Sequence, residues 1–205
     1  AFDWASALEY ACVLTLQSWR EGEPAVVLKE LPISERVKWR LSPILLEKQA
    51  NLLFGPGGSG KSYLALYWAV LVSIPWEMHK WDIDPGNVLY LDYETSQEEI
   101  LDRAKAIYQG LERPWDSSIL YRRCSTPLHD DIEQIQRLVV ENDVELVIVD
   151  SAAYAVGGEP ESAAVTTAYY NALRSLKVTT LTLAHVAKDR EKKGAFGSVF
   201  WQNGA

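Results

Sequence analysis

Cysteine is scarce. The chain has two, Cys12 and Cys124, far apart and outside any C-x-x-C pair. That excludes a disulfide scaffold and a zinc module of paired cysteines, and both are expected to be reduced thiols of a cytoplasmic protein. Histidine is scarce too: His79, His129 and His185 are scattered, without metal-ligand spacing. No apolar run reaches the roughly 20 residues that span a bilayer, and no signal peptide shows, so no membrane partner is expected. Positive charge is in deficit. Lys and Arg number 20 against 28 Asp and Glu, a net charge of −8. A surface basic all over is therefore excluded, while a local basic strip is not. Internal repeats and low-complexity tracts are absent. The chain does not begin with Met, as expected of a fragment.

What is present suits an α/β domain. The 205 residues are 48% hydrophobic and 23% charged, enough for one sizeable core. The stretch Gly55-Pro56-Gly57-Gly58-Ser59-Gly60-Lys61-Ser62 matches G-x-x-x-x-G-K-[ST] without a mismatch. Before it lies the short apolar run Asn51–Phe54. After it, Tyr63 to Val72 is apolar on every side, which predicts a buried helix. Strand, glycine loop and helix form the setting that a polyphosphate site needs. Gly55, Gly57, Gly58 and Gly60 permit the positive φ angles that turn successive N–H groups inward. The helix N-terminus then favours negative charge. Lys61 is expected to reach the β- and γ-phosphates of a nucleotide. The Ser62 hydroxyl offers Mg²⁺ a hard oxygen. The loop through Tyr63 is the expected nucleotide-binding stretch.

Residues 1–41 read as a preamble or subunit-contact arm, and 42–205 as the core domain. Apolar residues at helical spacing from Phe2 to Trp19, with Asp3 as N-cap, predict a helix. Ala25–Leu28 reads as a strand, and Leu31-Pro32-Ile33 as a break. Trp4, Trp19 and Trp39 are expected as core or interface anchors. In the core, strands are predicted over Asn87–Glu94, Ile119–Tyr121, Glu145–Asp150 and Thr179–His185, with a sixth over Phe196–Trp201. Helices are predicted from Gln97 to about Leu111, Asp131 to Asn142 and Ser162 to Leu176. Ser96 and Glu99 form a capping box, and Ile100, Leu101, Ala104 and Ile107 one apolar face. Strands alternating with helices predict a mainly parallel sheet covered on both faces.

Ligands of such a sheet sit at the C-terminal ends of its strands. Asp150 ends a continuously apolar strand, the Walker B arrangement of a carboxylate in the magnesium shell. Asp92 and Glu94 end the second strand, and alternation places both on one face. Glu94 is preferred as the base that takes a proton from attacking water, with Asp92 structural. A cap or salt bridge for the next helix is the other reading of Glu94. His185 ends the fifth strand, where it either senses a γ-phosphate or is simply structural. Lys188, Arg190, Lys192 and Lys193 form the densest basic cluster, either a nucleic-acid contact or a solvated run diluted by Asp189 and Glu191.

GPGGSGKS, then the glutamate of VLYLDYE, then LVIVDS, then LTLAH, resemble the core of the RecA-like P-loop ATPases. Within that group the chain is similar to the RepA-type hexameric replicative helicases and related phage and plasmid AAA ATPases. Its tail, Lys193 to Asn203, is similar to the segment those proteins place after the sensor strand. The resemblance covers about Ser42 to Ala205. It implies an α/β RecA-like fold, Mg-ATP as substrate, and Lys61 and Ser62 on nucleotide and metal. It also implies Asp150 supporting the metal, Glu94 as base and His185 as sensor. DNA replication as a helicase, single-stranded DNA as partner and a homo-oligomeric ring or filament follow from the same resemblance. A P-loop kinase of a small metabolite and a nucleotide-gated assembly module are the rival readings.

Overall fold

The computed structural model describes residues 2–21, 25–30, 37–75, 81–116, 118–186 and 201. The chain falls into two compact units, residues 1–37 and 38–205. In the first, α1 spans Trp4–Glu21. Asp3 caps it, accepting from the Ser6 N–H at 3.3 Å and from the Ser6 hydroxyl at 2.7 Å. Trp4 is 72% exposed, so it anchors no core within this unit. The predicted strand Ala25–Leu28 does not form, and Leu28–Glu30 is a single 3₁₀ turn. Val26, Val27 and Leu28 are exposed, and a lone strand has no neighbour to satisfy its backbone. The side chain of Trp19 and the Leu31–Ile33 break lie outside the described residues.

The second unit opens with a small antiparallel pair, β1 (Trp39–Leu41) and β2 (Leu45–Leu46). Trp39 is half-buried there. The main elements then alternate: β3 (Ala50–Gly55), α2 (Lys61–Ser73), β4 (Asn87–Asp92), α3 (Gln97–Gly110), β5 (Ile119–Arg123), α4 (Ile132–Glu141), β6 (Val144–Asp150), α5 (Ala152–Ala155), α6 (Ala163–Ser175) and β7 (Thr179–His185). The five long strands form one parallel sheet in the order β3-β7-β6-β4-β5. The predicted parallel sheet and its helical layers are thus present.

Strand alternation divides the interior into two cores. Val88, Tyr90, Leu146 and Ile148 point to one face, where α2 and α3 bring Leu66, Val72 and Ile100. Leu89, Leu91, Val147 and Val149 point to the other, against Ile135 of α4 and Tyr169 and Leu173 of α6. Apolar positions on both faces are why β4 and β6 read as continuous hydrophobic runs. Ser96 caps α3 by accepting from the Glu99 N–H at 3.3 Å, while the Glu99 carboxylate pairs with Arg103. Leu101, expected on the inward face, is 38% exposed, and Tyr108 is buried on that helix instead. Of the predicted sixth strand only Trp201 is described. Its backbone is helical, and its buried ring packs against Tyr169 and Tyr170.

At the opposite end of the sheet, Arg40 is buried and its guanidinium meets Asp84 at 2.8 Å and Glu145 at 2.6 Å. Gly86 packs on the same spot. A Cβ there would stand 2.6 Å from the Glu145 Cβ, closer than two carbons tolerate. Gly86→Ala should therefore lower unfolding free energy by about 1–3 kcal/mol, measured by denaturant titration. An unchanged midpoint would mean that the turn shifts freely.

Candidate functional site

β3 ends at Gly55 and α2 starts at Lys61, so the turn is Pro56 to Gly60. Gly58 has φ +72° and Gly60 φ +83°, conformations that exclude most side chains. Gly55 and Gly57 do not share them. Gly55 is still in the strand, where a Cβ would meet Ser59 Oγ at 3.2 Å, so glycine there serves close packing. A Cβ at Gly57 would meet nothing within 4 Å. Gly60, the N-cap of α2, offers no side-chain acceptor, which leaves the first helical turn without a side-chain cap at the loop. Lys61 Nζ donates to the carbonyls of Gly55 at 3.0 Å and Pro56 at 2.9 Å. Its ammonium is folded back onto the loop.

The register of the sheet places the remaining groups. Gly55 lies opposite His185, and Asp92 opposite Asp150. Asp150 is 2% exposed and accepts from the Tyr90 hydroxyl at 2.6 Å. Burial pushes its carboxyl above the usual range, and hydrogen bonds from Tyr90 and Ser62 pull the other way. Asp150 and Ser62 are thus neighbours.

Asp92 is fully buried and its oxygens are occupied. It accepts from the N–H groups of Glu94 (2.9 Å) and Thr95 (2.8 Å), from the hydroxyls of Thr95 (3.0 Å) and Tyr121 (2.8 Å), and from Arg123 (3.3 Å). Burial acts to raise its carboxyl, but the bonds from Thr95, Glu94 and Tyr121 outweigh burial and hold it below the usual value. The same bonds end the strand. Capturing two successive N–H groups turns the chain at Tyr93, so Glu94 lies beyond β4 and strand alternation does not relate it to Asp92. The two carboxylates separate instead: Asp92 into the protein, Glu94 into a cleft.

That cleft, about 290 Å³, is lined by Gly58 through Tyr63 and by Glu94, Thr95, Arg103, Asp150, Ser151 and His185. Glu94 Oε2 accepts from the Ser151 hydroxyl at 2.9 Å and lies 3.9 Å from His185 Nε2. Lys61, Ser62, Glu94, Asp150 and His185 are therefore brought together. Gly55, Pro56 and Gly57 lead into the cleft but do not line it, and Lys188, Arg190, Lys192 and Lys193 lie outside the described residues. Sequence reasoning passed over Tyr90, Ser151 and Arg103. Arg103 adds a second cation, 4.9 Å above the Tyr63 ring; its i,i+4 spacing from Glu99 was the available signal. Ser151 directly follows Asp150, and nothing in the sequence marks its hydroxyl as turned toward Glu94.

Asp92→Asn should cost about 2–4 kcal/mol of stability at pH 7, since several charge-assisted bonds are weakened at a buried site. A carboxyl held below its unfolded value stabilises the fold above that value and loses the contribution as pH falls through the folded value. The gap between variant and parent should therefore begin to narrow below the ordinary value of 3.8 and go on narrowing as pH falls through the folded value beneath it. Urea unfolding at pH 7 and pH 3 checks this; a constant gap would remove the ionised carboxylate from the account.

Among the described residues, no helix is long and apolar enough to cross a membrane. The chain matches no curated protein. A family model described as an AAA domain matches residues 23–191. The matched stretch contains the phosphate loop, the strands ending in Asp92 and Asp150, and His185. The chain belongs to that family: it is a P-loop ATPase domain of RecA-like fold, built to bind and hydrolyse ATP.

Proposed function

We propose that this domain takes ATP with Mg²⁺, activates water with Glu94, and couples turnover to work on single-stranded DNA as one subunit of a ring or filament. The observation that carries the reading is the convergence of Lys61, Ser62, Glu94, Asp150 and His185 on one cleft. Lys61 holds the β- and γ-phosphates as a point charge. The hard oxygens of Ser62 and Asp150 suit magnesium. Among the described residues no three His, Cys, Asp or Glu gather into a metal cage, and a nucleotide-bound magnesium ion needs only one or two protein oxygens. When bound, that ion neutralises phosphate charge.

Hydrolysis then runs as follows. A water oxygen bonds to the γ-phosphorus as Glu94 accepts the water's proton, the bond to the β–γ bridging oxygen breaks, and ADP and phosphate leave. The occupied oxygens of Asp92 argue against that residue as the base. His185 stands beside both Gly55 and Glu94, a place from which it reads the γ-phosphate. Helicase-type work rests on the basic cluster Lys188, Arg190, Lys192 and Lys193, which follows the sensor strand in sequence. Exposed Trp4, Leu8 and Tyr10 on α1 support the first unit as a subunit-contact arm, which ends by residue 37 and not at 41, because β1 and buried Arg40 belong with the core.

Phosphate release with and without single-stranded DNA tests the whole reading, and DNA should accelerate it. Without an added acceptor a small-metabolite kinase releases little phosphate, and an assembly module releases little under any condition. Lys61→Ala should lose most affinity for a fluorescent ATP analogue. Glu94→Gln should bind ATP almost normally while single-turnover hydrolysis falls roughly 10²–10⁴-fold; full activity would overturn Glu94 as base. Neutralising the four cations should flatten the salt dependence of DNA binding by about 0.7–0.9 log unit per lost contact. No DNA or RNA binding at low salt by the ATP-assembled protein would overturn the motor reading.

A further inference from the structure

Ser151 occupies the N-cap position of α5, yet its side chain makes no cap hydrogen bond. A serine there normally accepts from an N–H of the first turn. Its backbone carbonyl accepts the ordinary first bonds of the helix, from the N–H groups of Tyr154 and Ala155, both at 3.3 Å, and the hydroxyl is left for another partner. The hydroxyl is 2.9 Å from Glu94 Oε2 and donates to it. Ser151 is 1% exposed, so water cannot readily replace that donor, whereas the Glu94 side chain is 39% exposed. A glutamate that free would rotate among several rotamers. Its two oxygens also differ: Oε2 is held by Ser151 and lies near His185, and Oε1 has neither contact.

We infer that Ser151 is a positioning residue for Glu94. It pins Oε2 so that Oε1 is presented to the cleft as the proton acceptor. The inference deepens the proposed function and rests on Glu94 being the base. Ser151 follows Asp150 directly, so one strand end would serve both the metal and the base. A shift of Asp150 would carry the Glu94 anchor with it. The contribution belongs to the chemical step, because proton transfer needs the acceptor at hydrogen-bond distance from the attacking water, while nucleotide binding uses the loop and Lys61.

The test is a double-mutant cycle on the full chain. It reads nucleotide affinity, thermal melting and single-turnover hydrolysis followed over hours. Ser151→Ala should lower the hydrolysis rate about 10–100-fold, with ATP-analogue affinity within about twofold and melting unchanged. Ser151→Thr, which keeps the donor, should restore most of the rate. In a Glu94→Gln background, Ser151→Ala should have almost no further effect, because there is no base left to position. Parental turnover in Ser151→Ala overturns the inference. So does an equal loss in both backgrounds, or a loss that appears in affinity or melting and is not rescued by threonine. Full activity in Glu94→Gln overturns the base assignment itself. An inactive Glu94→Gln with additive Ser151→Ala overturns only the role of Ser151.

Discussion

Everything at the site depends on the register of a parallel sheet. Because β3, β7, β6 and β4 run the same way, their C-terminal ends share one edge, and the residues there are neighbours however far apart in sequence. Asp92 faces Asp150 across β4 and β6, and Gly55 faces His185 across β3 and β7. A slip of one residue in any strand would turn its core side chains to the wrong face. The two apolar cores therefore lock the register, and the register places the chemistry. In this sense Val88, Tyr90, Leu146 and Ile148 are as much a condition of the site as the residues that line it.

Two aspartates at the same sheet edge illustrate how environment assigns roles. Both are almost completely buried, which disfavours their charge. Asp92 meets this with donors on both oxygens, and the result is a fixed turn. Asp150 has fewer: Tyr90 and Ser62 leave its carboxyl raised, so a cation would be welcome there. Tyr90 belongs to the core and yet donates to Asp150, tying packing on one face of the sheet to the carboxylate at its edge. Glu94 is the third case: mobile by exposure, but held by one buried hydroxyl.

Much of this was legible in the chain. The phosphate loop, the helix that follows it and the capped helix after Ser96 rest on contacts a few residues long, which local patterns encode directly. The strand ends at Asp150 and His185 were readable for the same reason, since an apolar run has a visible end. Where long-range partners decide, reading failed. Ala25–Leu28 has strand composition and, among the described residues, no pairing strand. Leu101 sits at core spacing and faces outward, while Tyr108 takes the buried place.

The sequence by itself determined the identity of the loop, the alternation of strands and helices, and the set of candidate carboxylates, because each follows from residue type and spacing along one segment. Only the tertiary structure decided what surrounds each carboxylate. Asp92 and Glu94 are two residues apart, and a strand reading places both on one face. Their fates diverge because Tyr121 and Arg123 come from β5 to saturate the first, while Ser151 and His185 come from the ends of β6 and β7 to meet the second. Hydrogen bonds between segments far apart in sequence leave no periodic trace in either one, and only folding brings the partners within reach.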